Sequence, residues 1–148
     1  METDRLAELI DQKQKVLTQL RQLADRQSRL IGEGNMSALL GLLAAKQKLL
    51  GNLQDLERQL DAFRQQDPDR RKWRSPQARE RTRHAAERCA TLLDEIMRVE
   101  RQCESDLVRR RDIAATRLQG AHTASQARRA YTGSEDSRLG QIDLSSET

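Results

Sequence analysis

Few side chains of the types that carry catalysis or bind metals stand close together in this sequence. The two histidines, His84 and His122, are thirty-eight residues apart, and neither has a second ligand at metal-binding spacing. The chain has no glycine-rich phosphate loop and no Ser-His-Asp arrangement. Carboxylates such as Asp94 and Glu95 are expected to pair with arginines three or four residues further along a polar helical face. We therefore expect no enzyme activity, no metal site, no cofactor and no small-molecule substrate.

The two cysteines, Cys89 and Cys103, suit packing better than reactivity. They are fourteen residues apart, which on one helix is about 21 Å of rise and too far for a disulfide bond. We expect both to be small apolar residues of a helix seam in a reducing compartment.

The densest group of charged side chains is basic. Residues 64–88 carry nine basic and four acidic side chains, a net charge of +5, whereas residues 1–63 balance to zero, residues 89–131 carry +2 and residues 132–148 carry −3. The arginines between Arg70 and Arg83, which surround Trp73, have the chemistry to bind phosphates and stack a base. Because this run is short and interrupted by acidic side chains, we favour a solvated turn in which Trp73 caps a helical bundle.

The composition favours long helices. The chain has one Phe, one Trp and one Tyr, and 34% of its residues are charged. Such a composition is typical of an elongated bundle or coiled coil with narrow seams. The chain opens on charged residues rather than a secretory signal, and its longest mostly apolar run, residues 36–45, is too short to span a bilayer. We expect a cytoplasmic protein without membrane insertion.

A helical hairpin centred on residues 31–63 organises the predicted fold. Gly32 is expected to end the first helix in the left-handed conformation, and Asn35 is expected to cap the second. The first helix is expected to begin at Thr3 or Asp4. One apolar stripe is predicted along the second helix, formed by Met36, Leu39, Leu40, Leu43, Leu50, Leu53, Leu56, Leu60 and Phe63.

Two glycines interrupt that second helix. Gly41 and Gly51 each cost about 1 kcal/mol against alanine in a helix interior. We expect them to let a neighbouring helix approach closely.

The third predicted helix is much longer than the other two. Ser75 followed by Pro76 is a helix start signal, and no glycine or proline follows until Gly120. Its predicted seam is Thr82, Ala85, Cys89, Leu92, Ile96, Val99 and Cys103. The predicted fold is therefore all-α, an elongated three-helix antiparallel bundle or coiled coil over residues 1–131. It has helices at about 4–31, 36–64 and 76–130, with a disordered tail at 132–148.

Helix lengths make the end of the third helix informative. The first two helices span about 42 Å each, whereas residues 76–130 span about 80 Å. Beyond Asp106 the apolar positions shift to Leu107, Ala114, Leu118 and Ala121, with Ile113 beside them. We expect this second half to lack a covering helix from its own chain.

The hairpin resembles that of the FlgN-type flagellar export chaperones. The resemblance rests on Gly34-Asn35-Met36-Ser37-Ala38-Leu39-Leu40, followed by Lys46-Gln47-Lys48-Leu49-Leu50 and Leu53. It covers roughly residues 5–130. It implies a cytoplasmic chaperone that holds hook-associated, junction-forming proteins before their delivery to the type III export apparatus. In that family the end of the long helix recognises the terminal helical segment of the substrate.

The resemblance also implies which residues bind the partner. They are Leu107, Ile113, Ala114, Leu118, Ala121 and Tyr131. Tyr131 resembles a tyrosine found where the long helix of the family ends, and it is expected to contact the substrate or the cytoplasmic part of the export gate. The expected oligomeric state is a monomer or a homodimer. The chain departs from the family in its basic 70–83 segment and in the weakly apolar end of its third helix.

Two alternatives come from other classes of protein. In the first, the second half of the third helix pairs with itself, and the chain is a structural coiled-coil or stalk-like component of a secretion apparatus. In the second, weaker alternative, the chain is a basic helical bundle that binds nucleic acid through Arg70 to Arg83.

Overall fold

The computed structural model describes the backbone of residues 2–146 and the side chains of residues 2–133. Helix α1 spans Glu2–Glu33, α2 spans Met36–Arg64, a short 3₁₀ helix spans Pro68–Arg70, and α3 spans Pro76–Ser146. The described backbone contains no strand. The protein is all-α, as predicted. It divides into an N-terminal unit, Met1–Asp106, and a C-terminal unit, Leu107–Thr148.

The N-terminal unit is a three-helix bundle in which consecutive helices run antiparallel. Near the bend between α2 and α3, Leu6 and Leu9 of α1 pack against Leu56 and Leu60 of α2. The middle layer is formed by Leu17, Leu20, Cys89, Leu92 and Ile96. At the hairpin turn, Ile31, Leu39 and Cys103 close the core. Burial of these apolar side chains holds the three helices together.

The hairpin turn differs from the prediction by two residues. Helix α1 continues through Gly32, and Gly34 takes the left-handed conformation at φ 72°. The Asn35 N–H donates to the Leu30 carbonyl (3.0 Å) and the Gly34 N–H donates to the Ile31 carbonyl (3.1 Å), a Schellman arrangement. The Asn35 side chain accepts from the Ala38 N–H at 3.1 Å, so the predicted cap of α2 is confirmed.

The two other predicted helix starts have different outcomes. The Ser75 hydroxyl accepts from the Ala78 N–H at 3.0 Å, and Pro76 is the first residue of α3, as predicted. Thr3 lies inside α1 instead of capping it. Its buried hydroxyl donates to the Lys72 carbonyl at 2.8 Å, which ties the first turn of α1 to the bend.

The apolar stripe of α2 lies on a different face from the predicted one in its first turns. Leu39 and Leu42 are buried, whereas Met36, Leu40 and Leu43 are exposed. The burial sequence continues through Leu49, Leu53, Leu56, Leu60 and Phe63 at alternating three- and four-residue steps. The prediction of close helix approach at Gly41 and Gly51 is wrong, because a Cβ atom added at either position meets nothing within 4 Å.

A polar junction links all three helices between the middle layer and the turn. Gln27 is buried and its amide donates to Glu100 at 3.2 Å, while Lys46 pairs with Glu100 at 2.6 Å and donates to the Gln27 oxygen at 3.3 Å. Each charge is therefore partnered. Nearby, Glu95 pairs with Arg21 of α1 at 3.3 Å, across helices rather than along its own helix as predicted.

Helix α3 continues to Ser146, beyond the predicted end near residue 130. The predicted tail, residues 132–148, mostly lies outside the described side chains, which end at residue 133. Its flexibility stays a prediction. None of the described helices has a stretch apolar and long enough for a bilayer crossing.

Candidate partner-binding surface

Side-chain burial on α3 stops at the end of the N-terminal unit. The predicted seam residues from Thr82 to Cys103 are all buried or half-buried, and Cys103 is only 1% exposed. In the C-terminal unit, every described side chain from residue 107 to residue 133 is exposed. Among the described residues, this stretch of helix therefore has no buried side chain.

Several large apolar side chains lie on that exposed stretch. Leu118 is 71% exposed and Tyr131 is 68% exposed, and Leu107, Val108 and Ile113 are also exposed. Monomeric proteins rarely expose several large apolar side chains close together unless that surface binds a partner. We call residues 107–131 of α3 the exposed helix face.

Helical geometry divides the predicted site residues into two lines. At about 100° per residue, Leu107, Ala114, Leu118 and Ala121 fall within a sector of about 60°. Ile113 and Tyr131 are eighteen residues apart, which is about five full turns, so they share a second line roughly a third of a turn away. The six predicted residues therefore form two neighbouring stripes instead of one.

The second line contains small residues between its two ends. Gly120, Ala124 and Ala127 follow Ile113 at helical steps and precede Tyr131. Small residues allow another helix to approach the backbone closely, while Ile113 and Tyr131 provide contact area at both ends, about 27 Å apart.

Sequence reasoning omitted Val108 from the predicted site. Val108 is 41% exposed and lies about a third of a turn from Leu107, on the side away from Ile113. Val108 was omitted because it lies outside both predicted stripes. Its exposure, which only the structure shows, is what makes it a candidate contact residue. Leu93 and Met97 of the N-terminal unit are also exposed and were not predicted as surface residues.

The exposed helix face is strongly basic. Residues 107–133 carry six arginines and one acidic side chain, Asp112, a net charge of +5. Asp112 lies 3.5 Å from Arg111 at an exposed position, where an ion pair contributes little to stability. A ligand of this face therefore meets apolar side chains flanked by positive charge.

The two cysteines occupy the bundle core. Both are free and buried, and burial raises the pKa of the Cys89 thiol and of the Cys103 thiol. Cys89 also lies 3.8 Å from the carbonyl of Ile10. A buried thiol with a raised pKa is a poor nucleophile. Among the described residues, no three His, Cys, Asp or Glu side chains are grouped as metal ligands would be.

Comparison of the chain with protein-family models, with curated proteins and with solved structures finds no match. A function is therefore argued from the surfaces of the protein and from the sequence resemblance of its hairpin.

Proposed function

We propose that this protein is a cytoplasmic chaperone of flagellar type III export, which binds and shields the terminal helical segment of hook-associated proteins before export. The observation that carries the proposal is the exposure of Leu107, Ile113 and Leu118 on one stretch of α3. The resemblance of the hairpin to the FlgN-type chaperones supplies the identity of the partner.

The physical argument concerns what a secreted filament subunit needs before assembly. Its terminal helix is amphipathic and associates with other copies if left bare. An apolar stripe on a chaperone helix covers that face by helix packing, as in other helix-recognition complexes. Burying a leucine side chain contributes about 1.5–3 kcal/mol relative to leaving it exposed, so a few such contacts give useful affinity.

The positive charge of the exposed helix face indicates which kind of segment it binds. The exposed helix face carries a net charge of +5 over residues 107–133. Opposite charge across an interface speeds association and suppresses wrong partners. We therefore expect the bound segment to be an amphipathic helix with acidic residues beside its apolar stripe, and we expect Tyr131 to contact either that segment or the export gate.

The test is affinity capture with a charge-matched control. The variant Leu107→Asp, Ile113→Asp, Leu118→Asp should lose at least tenfold in retained hook-associated protein from native lysate treated with nuclease. A fragment ending at residue 104 should retain none. Mass spectrometry identifies the captured proteins, and circular dichroism checks that helix content is unchanged.

The control introduces the same three charges on the opposite side of the helix, at Thr116→Asp, Gln119→Asp and Thr123→Asp. It should capture as much partner as the unaltered chain. If both triple variants lose binding equally, charge rather than the apolar stripe governs capture. If the full-length chain recovers no hook-associated protein, the export-chaperone proposal is wrong.

A structural coiled-coil role is the second candidate, favoured by the line from Ile113 to Tyr131. Its small residues, Gly120, Ala124 and Ala127, suit close pairing of two identical helices. Light scattering separates the two functions. A stable dimer that is lost on removing residues 105–148 favours the structural role, whereas a monomer that captures hook-associated protein favours the chaperone.

A further inference from the structure

A cavity lies at the opposite end of the N-terminal unit from the hairpin turn, where α1, the end of α2, the bend and the start of α3 meet. Its volume is about 390 Å³. Its apolar wall is formed by Leu6, Leu60, Phe63, Trp73, Ala86 and Cys89. Trp73 also packs against the core layer of Leu6, Leu9, Leu56 and Leu60. The wall is therefore continuous with the core of the bundle.

The charged side chains at this cavity are all basic. They are Lys13, Arg64, Arg71, Arg79 and Arg83. Three of them already have carboxylate partners: Lys13 pairs with Glu57, Arg64 with Glu57 and Asp61, and Arg83 with Glu80 and Glu87.

The other two, Arg71 and Arg79, form no ion pair with a described residue. By contrast, two basic neighbours in the bend do form ion pairs: Arg70 pairs with Asp67, and Arg74 pairs with Asp4. Two guanidinium groups that form no ion pair with a described carboxylate therefore border an apolar cavity, although Arg79 still acts electrostatically on its neighbour Glu80.

Arg71 has unused hydrogen-bonding capacity. One of its terminal nitrogens donates to the Phe63 carbonyl at 2.5 Å. Its Nε is shielded from water and has no acceptor, the one such side-chain atom among the described residues. A buried donor without an acceptor costs about 1–3 kcal/mol. A carboxylate bound beside Arg71 would supply that missing acceptor in the paired geometry that suits a planar guanidinium group.

We propose that this cavity is a docking site for an acidic peptide segment that carries a bulky apolar side chain. The apolar side chain occupies the wall at Phe63 and Trp73, and a neighbouring carboxylate pairs with Arg71 and Arg79. The proposal is independent of the proposed function, because it uses no residue of the exposed helix face.

Size and charge favour a peptide over other occupants. A volume of about 390 Å³ is near the low end of the roughly 300–1,000 Å³ of ligand pockets, which suits one or two bulky side chains better than a long acyl chain. The net charge of +5 over residues 64–88 is larger than one carboxylate neutralises, which favours a segment with several acidic side chains. Packing of Trp73 against the core leaves its ring poorly placed to stack a nucleic-acid base.

The single tryptophan of the chain provides the measurement. Trp73 lines the cavity, so its fluorescence reports on occupancy in the full-length protein. The probe is the blocked peptide acetyl-Gly-Asp-Glu-Phe-Asp-Glu-Gly-amide, which lacks tryptophan. It should produce a saturable change in emission. Replacing Phe by Ser, or the acidic residues by their amides, should weaken binding at least tenfold.

Variants of the chain locate the site. Arg71→Gln and Arg79→Gln should each weaken binding of the probe at least fivefold, whereas Arg81→Gln, an exposed arginine of the same segment that does not line the cavity, should leave it unchanged. Because Arg71 bonds the backbone, circular dichroism checks its fold, and exposed Arg79 provides the independent variant. The proposal is overturned by an absent signal, by equal binding of the serine peptide, by insensitivity to Arg79→Gln, or by a single-stranded oligonucleotide that competes more strongly than the peptide.

Discussion

The same helix contains two leucines in opposite environments. Leu92 of α3 is 2% exposed in the N-terminal unit, whereas Leu118 of α3 is 71% exposed in the C-terminal unit. Both lie in regular α-helix with polar residues between apolar ones. An isolated helix is marginal in water and gains most of its stability from packing of its apolar face. The contrast shows that an apolar pattern at helical spacing identifies a helix but does not say what covers it.

Truncating each leucine gives the largest expected difference between the two units. Leu92→Ala should reduce the free energy of unfolding of the N-terminal unit by about 3 kcal/mol, because it leaves a cavity in the core. Leu118→Ala should change it by less than about 0.5 kcal/mol, since an exposed side chain loses little. Urea unfolding followed by the fluorescence of Trp73, which lies in the N-terminal unit, measures both values.

A large effect of Leu118→Ala on that transition would contradict this contrast. It would mean that Leu118 is covered in the free protein in solution, and that the exposed helix face is already occupied. Repeating the measurement at tenfold lower protein concentration tells whether a second copy is the cover, because dimer stability depends on concentration.

Substitutions of glycine test the local environment of each unit, with smaller expected effects on the free energy of unfolding. Gly34 holds the left-handed conformation of the hairpin turn, which an L-residue adopts at a cost of about 1–2 kcal/mol. Gly34→Ala should therefore destabilise the N-terminal unit by that amount in urea unfolding. Gly41 lies inside α2 with open space around it, so Gly41→Ala should instead stabilise the unit by up to about 1 kcal/mol.

Gly120 gives the matching test in the C-terminal unit. It also has nothing within 4 Å of an added Cβ. Gly120→Ala should raise helix content by circular dichroism while leaving the transition of Trp73 unmoved. Opposite shifts for Gly34→Ala and Gly41→Ala are the expected result. Stabilisation by Gly34→Ala would show that the left-handed conformation of Gly34 does not determine the turn, whereas destabilisation by Gly41→Ala would show that the space around Gly41 is filled in solution.

The sequence predicted the features that depend on local chemistry or on an unambiguous repeat. Asn35 and Ser75 are caps as predicted, because each directly precedes the first residue of its helix and its side-chain oxygen accepts from the backbone N–H three residues further on. The α3 seam was correct because its positions stay apolar through Val99 and Cys103, whereas the neighbouring set that contains Leu93 and Met97 meets Glu100 and Glu104. Packing of Trp73 against the bundle was also confirmed.

Other features could not be predicted from the sequence, because they depend on contacts between segments that are distant along the chain. Four leucines stand among residues 39–43 of α2, so periodicity alone does not choose between Leu42 and its neighbours; the positions of α1 and α3 decide. Glu95 pairs with Arg21, seventy-four residues away. The basic cavity joins Leu6, Leu60 and Cys89, which no local pattern connects. The partner-binding role of the six predicted residues stays a prediction, because exposure does not identify a partner.

Acid titration provides the finest comparison between the two units. Glu57 of α2 pairs with Lys13 of α1 at 2.6 Å and with Arg64. Burial raises the pKa of Glu57, but hydrogen bonds from Lys13 and Arg64 outweigh this and hold that pKa below its ordinary value of 4.5. A carboxylate with a lowered pKa in the folded state stabilises the fold above its unfolded pKa, and the contribution is lost as pH falls through the folded value.

Glu57→Gln should therefore destabilise the N-terminal unit near pH 7 by about 1 kcal/mol or less, since this pair is partly exposed. The difference from the unaltered chain should shrink as the pH falls below about 4.5. Asp112→Asn, at an exposed pair of the C-terminal unit, should give the same urea midpoint of Trp73 fluorescence near pH 7 as the unaltered chain. A Glu57→Gln deficit that persists undiminished at pH 3 would mean that the side chain acts through packing. In that case the charge bridge between α1 and α2 does not contribute to the difference in stability between the two units.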